Sequence, residues 1–418
     1  MKDKLTFGSL PRFALFLALT PAALGSTTWY VNGVNGNDKN HCLSPASACK
    51  TIGHAISLAL SGDTVKVAAA TYKENLNITR SLRIVGSNAL TTIIDGSSAN
   101  SVVRILNAVV HVGLANLTIR NGMGLFGSGG GVLNAGILTI ADSTISGNSG
   151  FEGGGVYNAG TLIVFDTTIS GNDGGGYGGG IYNTGTLTIF DATISGNHGG
   201  AAFTPAPLEG GGGIVNEGTL TLVNSTIEGN YATVFYGIRL PRVGGGIKNS
   251  GKLTIRNTTF AGNVTGTFVP MRPPFPQNPL LPGRGWDIYT TGQVTIENSI
   301  VGSAGYFGYS DEDDCYGPMT SNGYNLSRDN TCNFNNIGDQ YSTDPKLGTL
   351  GYYGGPTQTI PLLSGSPAID AGNPSGCRDS QGNLLKTDQR GYPRPDSDDK
   401  TTAKPRCDMG AYESQSLK

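Results

Sequence analysis

Charged side chains are scarce in this sequence: Asp, Glu, Lys and Arg make up 14% of its 418 residues, and the net formal charge is −2. This balance excludes the basic surface on which a dedicated nucleic-acid-binding protein depends. Histidine occurs only four times and there is no CxxC pair, which disfavours a zinc site. After residue 25 no apolar run reaches the roughly 18 residues of a membrane-spanning helix, so we expect none in the mature chain.

Glycine, by contrast, is abundant, with 65 of the 418 residues. It follows no strict G-X-Y period, which excludes a collagen-like triple helix. The length allows about two or three compact domains or one elongated domain. The composition therefore favours a β-rich, weakly charged chain with many turns.

Residues 1–25 have the pattern of a secretory signal peptide. Lys2, Lys4 and Arg12 form a basic start, and a short apolar run follows. Small residues at positions −3 and −1 then favour cleavage before Ser26. We therefore expect a secreted protein at an extracellular or bacterial cell-surface location.

The six cysteines form three local groups along the chain. In an oxidising compartment an even number of cysteines favours disulfides, and six cysteines allow 15 pairings. The local pairing is preferred because each bond would clamp an irregular terminal segment. The predicted disulfides are Cys42–Cys49, Cys315–Cys332 and Cys377–Cys407.

A repeated phrase dominates the middle of the chain. Residues 129–148 read GGGVLNAGILTIADSTISGN, and a decayed copy ends the series at residues 285–303. All variation in the step between copies falls after the final Asn of the phrase. A constant unit with one variable loop predicts a solenoid whose insertions emerge on a single side. The intervening copies occupy residues 153–172, 178–197, 211–230 and 244–263.

Within each copy the apolar residues alternate with polar ones, which predicts β-strands. Val132, Leu138, Ile140 and Ile145 have aliphatic or aromatic equivalents in every copy, whereas Thr139 is on the opposite face. Four buried aliphatic side chains at ~1.5–3 kcal/mol each cannot offset the entropy of ordering a whole coil. Stacking of coils must therefore supply the remaining stability.

An asparagine recurs at one turn position of every full copy. Stacked coil on coil, the amides are predicted to hydrogen-bond to each other as a ladder. The alternative is a row of asparagines that binds sugar. The residues are Asn134, Asn158, Asn183, Asn216 and Asn249.

Short parallel strands, coils of about two dozen residues and an asparagine column resemble the right-handed parallel β-helix of the pectin-lyase-like superfamily. The segment TWYVNGVNGND, followed by CKTIGHAISLALSGDTVKV, is similar to the capping region of that fold. There, residues 50–61 would form an amphipathic helix that closes the first coil. The resemblance implies an all-β, right-handed parallel β-helix solenoid with an N-terminal cap over residues 26–303.

The C-terminal part carries a second resemblance. From Asp314 onward the sequence contains DCYGPMTSNGYNLS, DPKLGTLGYYGGPTQTIPLLSGSPAIDAG, TDQRGYPRP and CDMGAYE. These phrases closely resemble the choice-of-anchor Q domain of secreted bacterial proteins, which implies no settled activity. Residues 304–418 are therefore expected to form an irregular C-terminal region clamped by disulfides.

Three long loops, at residues 198–210, 231–243 and 264–284, follow consecutive coils and should form one wall. Flat aromatic faces and guanidinium groups suit an extended anionic polysaccharide, since rings cover the apolar faces of sugars and Arg binds carboxylate or sulfate. The alternative is that these residues pack the loops onto the coils. The candidate ligand-binding residues, on the wall and bordering it, are Tyr157, Tyr182, Phe235, Tyr236, Arg239, Arg242, Arg272, Arg284 and Trp286.

Aspartates occupy the same slot of three successive coils, at Asp142, Asp166 and Asp191. Adjacent strands lie about 4.8 Å apart, so three aligned carboxylates would repel each other unless compensated. Calcium is one compensation. The slot becomes Asn in the next three coils, which favours turn capping, a role that Asn performs equally well. No cofactor is therefore predicted, with calcium at these aspartates as the alternative.

Two functions remain. The first is a non-catalytic, adhesin-like or matrix role, in which a monomeric secreted protein binds an extracellular glycan or surface partner through its loop face. The alternative is a polysaccharide lyase or glycoside hydrolase that acts on an acidic polysaccharide. An enzyme requires at least two titratable groups that converge in a cleft with a basic residue. No such cluster can be identified from spacing and the coils are uniform, so binding is favoured.

Overall fold

The computed structural model of the chain is a right-handed parallel β-helix, as the repeats predict. Within the residues that it describes, the chain forms 36 β-strands, one α-helix (α1, Ile52–Leu58) and one 3₁₀ helix (Pro45–Ser47). The signal-peptide prediction falls on residues outside the described part. The described residues are 25–124, 129–200, 210–235, 243–268, 284–302, 313–395 and 406–415.

The strands are short and follow each other at regular intervals along the chain. The strands of the first coils are β1 (Thr28–Val31), β2 (Thr64–Val67), β3 (Ala70–Lys73), β4 (Leu76–Asn77), β5 (Leu82–Gly86), β6 (Thr92–Asp95), β7 (Val103–Ile105), β8 (His111–Ala115), β9 (Thr118–Arg120) and β10 (Met123–Gly124). The next are β11 (Val132–Asn134), β12 (Ile137–Ala141), β13 (Thr144–Ser146), β14 (Ser149–Glu152), β15 (Val156–Asn158), β16 (Thr161–Phe165), β17 (Thr168–Ser170), β18 (Asp173–Tyr177), β19 (Ile181–Asn183), β20 (Thr186–Phe190), β21 (Thr193–Ser195) and β22 (His198–Gly199). The last are β23 (Ile214–Asn216), β24 (Thr219–Val223), β25 (Thr226–Glu228), β26 (Tyr231–Phe235), β27 (Ile247–Asn249), β28 (Lys252–Arg256), β29 (Thr259–Ala261), β30 (Val264–Phe268), β31 (Ile288–Thr290), β32 (Gln293–Glu297), β33 (Ile300–Val301), β34 (Cys315–Tyr316), β35 (Thr320–Ser321) and β36 (Leu326–Ser327).

These strands stack in parallel into four sheets, which we number by their order within one coil. Sheet 1 contains β4, β7, β11, β15, β19, β23, β27, β31 and β34. Sheet 2 contains β1, β2, β5, β8, β12, β16, β20, β24, β28, β32 and β35. Sheet 3 contains β3, β6, β9, β13, β17, β21, β25, β29, β33 and β36, and sheet 4 contains β10, β14, β18, β22, β26 and β30.

Each of the five full repeat copies, together with the sheet 4 strand that follows it, makes one coil that passes through sheets 1 to 4 in turn. The predicted interior residues Val132, Leu138, Ile140 and Ile145 are fully buried and belong to one continuous core. Register between coils is residue for residue, with Leu138 opposite Leu162. The aliphatic column is therefore shared from coil to coil, which supplies the burial that one coil lacks.

The predicted asparagine ladder is confirmed. In each step the Nδ2 of one buried amide donates to the Oδ1 of the next at 2.7 Å, from Asn134 through to Asn249. The ladder ends where the Asn249 Nδ2 donates to the Thr290 hydroxyl at 3.0 Å. With every amide engaged inside the helix, the sugar-binding alternative for this row is wrong.

A second ladder runs through the final asparagine of each copy, and we did not predict it. Asn148, Asn172, Asn197, Asn230 and Asn263 are buried, with Nδ2 to Oδ1 distances of 2.9–3.0 Å. Asn263 then donates to the Asp287 carboxylate at 2.7 Å. An aspartate suits this end, because the last amide requires only an acceptor.

The N-terminal end is closed by α1, as expected. The Thr51 hydroxyl accepts from the His54 N–H, and the Glu74 carboxylate accepts from the Ile52 and Gly53 N–H groups at 2.9 and 2.7 Å. The free donors of the first helical turn are thereby satisfied. No helix among the described residues has the length and hydrophobicity to cross a bilayer.

All three predicted disulfides are present: Cys42–Cys49, Cys315–Cys332 and Cys377–Cys407. The first clamps the N-terminal cap, and the other two clamp the C-terminal region. Strands β34 to β36 stack on β31 to β33 and add a further coil. The domain division at residue 304 stays a prediction.

The described residues from 343 to 415, which we call the strap, fold back along the helix and pack beside sheet 3. The Thr193 hydroxyl donates to the Gln358 carbonyl at 2.6 Å, and the Thr226 hydroxyl donates to the Gln389 side chain at 2.7 Å. Further along, the Ala411 N–H donates to the Thr259 hydroxyl at 3.0 Å. The strap is therefore bonded to three successive coils.

A buried ion cluster holds the strap together. Arg390 donates to Asp388 at 2.6 Å, and Arg394 donates to Glu413 at 2.8 Å. Arg394 also donates to the Asn224 side-chain oxygen at 3.0 Å, which joins the cluster to the helix. The phrases TDQRGYPRP and CDMGAYE thus meet in one place, where each buried charge finds a partner.

Candidate functional site

One row of side chains lies along the outer face of sheet 1. In each three-residue strand of this sheet the first and third residues are buried, as Val156 and Asn158 are. The side chain of the middle residue lies on the opposite, outer face of the sheet. Successive coils place these middle residues in register, which makes a row parallel to the helix axis. This outer row consists of Leu133, Tyr157, Tyr182, Val215, Lys248, Tyr289 and Tyr316.

Two stacked tyrosine pairs stand in the outer row. The rings of Tyr157 and Tyr182 lie 5.5 Å apart at 16°, and those of Tyr289 and Tyr316 lie 5.1 Å apart at 4°. Tyr182 and Tyr289 are buried, whereas Tyr157 and Tyr316 are half-buried. Each pair therefore presents one partly exposed flat ring, and Lys248 lies between the pairs.

Acidic and basic groups gather around the first pair. Glu217, an exposed residue in the turn between β23 and β24, is close enough for its charge to raise the pKa of the Tyr182 phenol. Glu152 ends β14 and pairs with Tyr177 in sheet 4, and the Tyr177 ring lies 6.1 Å from that of Tyr182. The Lys248 ammonium lies 5.2 Å from the centre of the Tyr177 ring. We call Glu152, Tyr157, Tyr177, Tyr182, Glu217 and Lys248 the tyrosine cluster.

Burial shifts the titration of this cluster. Burial raises the pKa of the Glu152 carboxyl, and the charge of Glu217 raises it further. Burial also raises the pKa of the Tyr182 phenol far above its usual value, and Glu217 adds to that shift. The two glutamates therefore lie in unlike environments, one half-buried and one exposed. We did not predict any cluster of this kind.

The other end of the outer row carries a cation. The Arg284 guanidinium lies 4.8 Å from the centre of the Tyr316 ring, and one of its N–H groups donates to the Tyr316 hydroxyl at 2.9 Å. Arg284 is thus at the outer row, as its candidate role requires. Trp286, in contrast, is only 5% exposed, so its side chain packs within the protein and does not lie on an open face.

The long loops leave sheet 4 and return to sheet 1. The residues at which they return, Gly210, Val243 and Arg284, are joined by parallel bridges to each other and to Tyr177. The predicted emergence of the insertions on one side is therefore confirmed, and that side borders the outer row. Phe235 ends β26, opposite Phe268. The candidates Tyr236, Arg239, Arg242 and Arg272 lie outside the described residues.

The aspartate row lies elsewhere, in the turn between sheets 2 and 3. Asp142, Asp166 and Asp191 all have left-handed backbone, with φ of 46°, 47° and 53°. Asn224, Asn257 and Asn298 continue the row with φ of 49–52°. Every position in the row therefore requires a residue that tolerates left-handed backbone, and Asp and Asn tolerate it better than most residues. Among the described residues, the metal-like grouping of three side chains is Cys42, Cys49 and His54, whose cysteines form a disulfide.

The strap explains why the row changes from Asp to Asn. The Asn224 Nδ2 donates to the Thr387 carbonyl, and the Asn257 Nδ2 donates to the Arg378 carbonyl. The Asn298 Nδ2 donates to the Asp408 carbonyl, and its Oδ1 accepts from the Asn373 N–H. An amide supplies both a donor and an acceptor at these contacts, whereas an ionised carboxylate supplies acceptors alone. Asn therefore suits the three turns at which strap backbone bonds to the side chain of the row.

Sequence reasoning identified Tyr157 and Tyr182 of the outer row but missed Lys248 in the row and Glu217 beside it. Lys248 occupies the same slot as Tyr157 and Tyr182, so aligning the middle residues of the GG-I-x-N phrase identifies it. Glu217 follows the ladder asparagine, where other copies have Ala, Thr or Ser. No pattern marks it, because the position varies freely.

The sequence matches no known protein family and no curated protein. Among solved structures it is similar to pectate lyase Pel9A, with 11% identity over 94% of this chain and 98% of that one, at a TM-score of 0.43. It is also similar to XylC in complex with xylose (9% identity, 92% and 98% covered, TM-score 0.43) and to the carrot pectin methylesterase (12%, 72% and 85%, TM-score 0.34). Likenesses this distant carry no inference about activity.

Proposed function

We propose that this protein binds an extracellular acidic polysaccharide along the outer row of sheet 1. The observation that carries the proposal is the order of side chains along the row: a stacked tyrosine pair, a lysine, then a second pair beside Arg284. Tyr157 and Tyr316 offer flat surface to sugar rings, while Lys248 and Arg284 are suited to carboxylate or sulfate groups. Coils repeat about every 4.8 Å, so an extended chain can contact several of them.

The setting that we propose is an adhesin-like or matrix role outside the cell. Three disulfides are compatible with export, as is the signal-peptide pattern of residues 1–25. We further propose that residues 304–418 are a choice-of-anchor Q region, which the convergence of TDQRGYPRP and CDMGAYE in the strap supports. The mature protein is proposed to act as a monomer.

Binding to an array of acidic and neutral polysaccharides, with and without calcium, tests the proposal. We expect retention of uronate or sulfated chains, and we expect Lys248→Ala and Arg284→Ala to weaken it by about tenfold each, the equivalent of one charge-assisted hydrogen bond. Loss of binding on chelation would favour calcium at Asp142, Asp166 and Asp191.

The matched control is Lys252→Ala, which removes an exposed lysine at the start of β28, in sheet 2 rather than in sheet 1. This variant should bind as the parent does. If Lys248→Ala and Arg284→Ala bind as tightly as Lys252→Ala, the outer row is not the binding face.

A second candidate function is cleavage of the bound polysaccharide. The observation that favours it is the convergence of Glu152 and Glu217 on Tyr182, with Lys248 close by. These residues are the two titratable groups and the one basic residue that an enzyme site requires. The sequence alone showed no such group, which is why binding without catalysis was favoured.

A further inference from the structure

We infer that the N-terminal cap holds a binding site for a small carboxylic acid with an unbranched alkyl chain. The site is a cleft of about 320 Å³ over the ends of β1, β2 and β5, where the chain turns from sheet 2 toward sheet 3. This volume lies at the lower end of the ~300–1,000 Å³ typical of ligand pockets, which suits a small molecule. The outer row lies on sheet 1, so this site goes beyond the proposed polysaccharide binding.

One wall of the cleft is the loop that the Cys42–Cys49 disulfide closes. Pro45 and Ala48 of this loop line the cleft. Hydrogen bonds join both ends of the loop to β1: the Tyr30 N–H donates to the Cys42 carbonyl, and the Cys49 N–H donates to the Tyr30 carbonyl, each at 2.8 Å. The cleft is therefore preformed, which lowers the entropic cost of binding a ligand there.

The opposite wall belongs to the outer face of sheet 2, where Tyr30, Lys66 and Val85 stand side by side in register. Val85 is half-buried and packs against an apolar cluster further along the same sheet. Ala48 and Ala68 extend an aliphatic surface in which the Tyr30 ring is the one aromatic group. Such a surface suits a flexible alkyl chain.

The charge of the lining favours an anionic head group. Lys66 is exposed and is the one charged residue in the lining. Within the described part of the chain, no ion pair joins it to a carboxylate. Its ammonium is carried on a flexible stem, so it can reach a ligand carboxylate at the rim of the cleft.

A second donor lines the cleft beside β1. The Asn32 Oδ1 accepts the N–H groups of Val34 and Asn35 at 3.0 Å each, and this leaves the Asn32 Nδ2 as a donor for the ligand. Ammonium and amide donors together match the two oxygens of a carboxylate. An alcohol lacks the charge that Lys66 attracts, and an alkyl cation is repelled by it.

The first test titrates hexanoate, octanoate, decanoate and dodecanoate into the full-length chain by calorimetry, below the concentrations at which they form micelles. Each added CH₂ group that is buried should tighten binding about fourfold. The gain should stop once the cleft is full, because further CH₂ groups stay in water. The inference fails if none of the four binds, or if all four bind with the same affinity.

The second test isolates the head group by comparing octanoate with octanol and octyltrimethylammonium. The alcohol and the cation should bind at least about tenfold more weakly, the equivalent of one charge-assisted hydrogen bond. Lys66→Ala should reduce octanoate to the affinity of octanol. The matched control is Lys73→Ala, which removes an exposed lysine at the end of β3 in sheet 3. Equal losses in the two lysine variants would indicate general attraction of anions and contradict the site.

The third test asks whether the alkyl chain occupies the cleft. Val85→Thr keeps the shape of the side chain but replaces a methyl group with a hydroxyl, and should weaken octanoate at least about threefold. Unchanged thermal unfolding without ligand would show that the Val85 and Lys66 variants are folded. A loss in Lys66→Ala with none in Val85→Thr would place octanoate on the open surface and overturn the cleft as its site.

Discussion

The repeating coils of residues 129–302 and the strap both contain buried polar side chains, but they satisfy the hydrogen bonds of these groups in opposite ways. The coils contain no cysteine and satisfy their buried polar side chains with two ladders of identical amides. The strap has the Cys377–Cys407 disulfide and individually matched ion pairs such as Arg390 with Asp388. In a repeating structure, the same side chain in successive coils can bond to its own copies. An irregular segment requires a different partner for each buried group.

The amide suits a ladder because it carries a donor and an acceptor, so any number of copies can follow each other. Only the last step requires a different residue, which Thr290 and Asp287 provide. The strap has no such freedom: among the described residues, Asp388 and Arg390 pair with each other and with nearby strap groups. We therefore expect damage to the coils to spread along the helix and damage to the strap to stay local.

The largest effect is expected from Asn183→Ala, in the middle of the first ladder. This change leaves the Asn158 Nδ2 and the Asn216 Oδ1 buried without their ladder partners. At about 1–3 kcal/mol for each group, the free energy of unfolding should fall by about 2–6 kcal/mol. Denaturant unfolding followed by circular dichroism measures it. Thr186→Ala, an exposed change in the same coil, should cost less than about 0.5 kcal/mol.

Arg390→Met should damage the strap almost as severely but leave the coils folded. The Arg390 guanidinium donates twice to Asp388, and it lies 3.5 Å from the centre of the Tyr412 ring. Without it Asp388 is a buried charge that has lost its cation, at a cost of about 3–5 kcal/mol. Limited proteolysis should cut the strap and leave an undigested coil fragment. The exposed control Arg328→Met should resist cleavage as the parent does, and equal cleavage of the two variants would contradict the assignment.

Most of the fold could be predicted because each coil repeats the same physical choices. Val132, Leu138, Ile140 and Ile145 recur in every copy, so period, strand direction and core follow from comparing one copy with the next. The disulfides followed from local spacing. The strap could not be placed, because its contacts with Thr193 and Asn224 join residues more than 160 positions apart and occur only once.

The candidate site was only partly predictable for the same reason. Tyr157 and Tyr182 occupy a repeated slot, so their shared face was clear. Glu152 lies at the end of β14 and Glu217 in the turn after β23, and neither position repeats its residue type from copy to copy. Trp286 was misread because an aromatic residue at the base of a loop packs inward as readily as outward.

Alkaline pH should destabilise the strap more than the amide ladders of the coils, because amides do not titrate and the strap has buried acids. Burial raises the pKa of Glu413 to about 8 and that of Asp408 to about 6, despite the opposing charge of Arg394. The unfolded chain ionises at ordinary carboxyl values, so this contribution to stability is full below about 4.5 and is lost as pH rises through about 8. Protease cleavage of the strap should therefore increase over that range. In Glu413→Gln the increase should be smaller, and an unchanged pH profile would exclude Glu413 as its source.

The smallest effect tests whether the strap itself requires asparagine in the turn row. Asn257→Asp keeps the left-handed backbone but turns a carboxylate oxygen toward the Arg378 carbonyl, to which the amide donates at 2.8 Å. We expect a loss of about 1–3 kcal/mol, because the carbonyl loses its donor. The matched change, Asn116→Asp, replaces the same residue type in the same left-handed turn slot between β8 and β9, for which the described residues show no strap hydrogen bond, and should shift the free energy of unfolding by less than about 0.5 kcal/mol. Equal costs for the two substitutions would mean that backbone conformation alone, and not the covering strap, determines where the row changes from Asp to Asn.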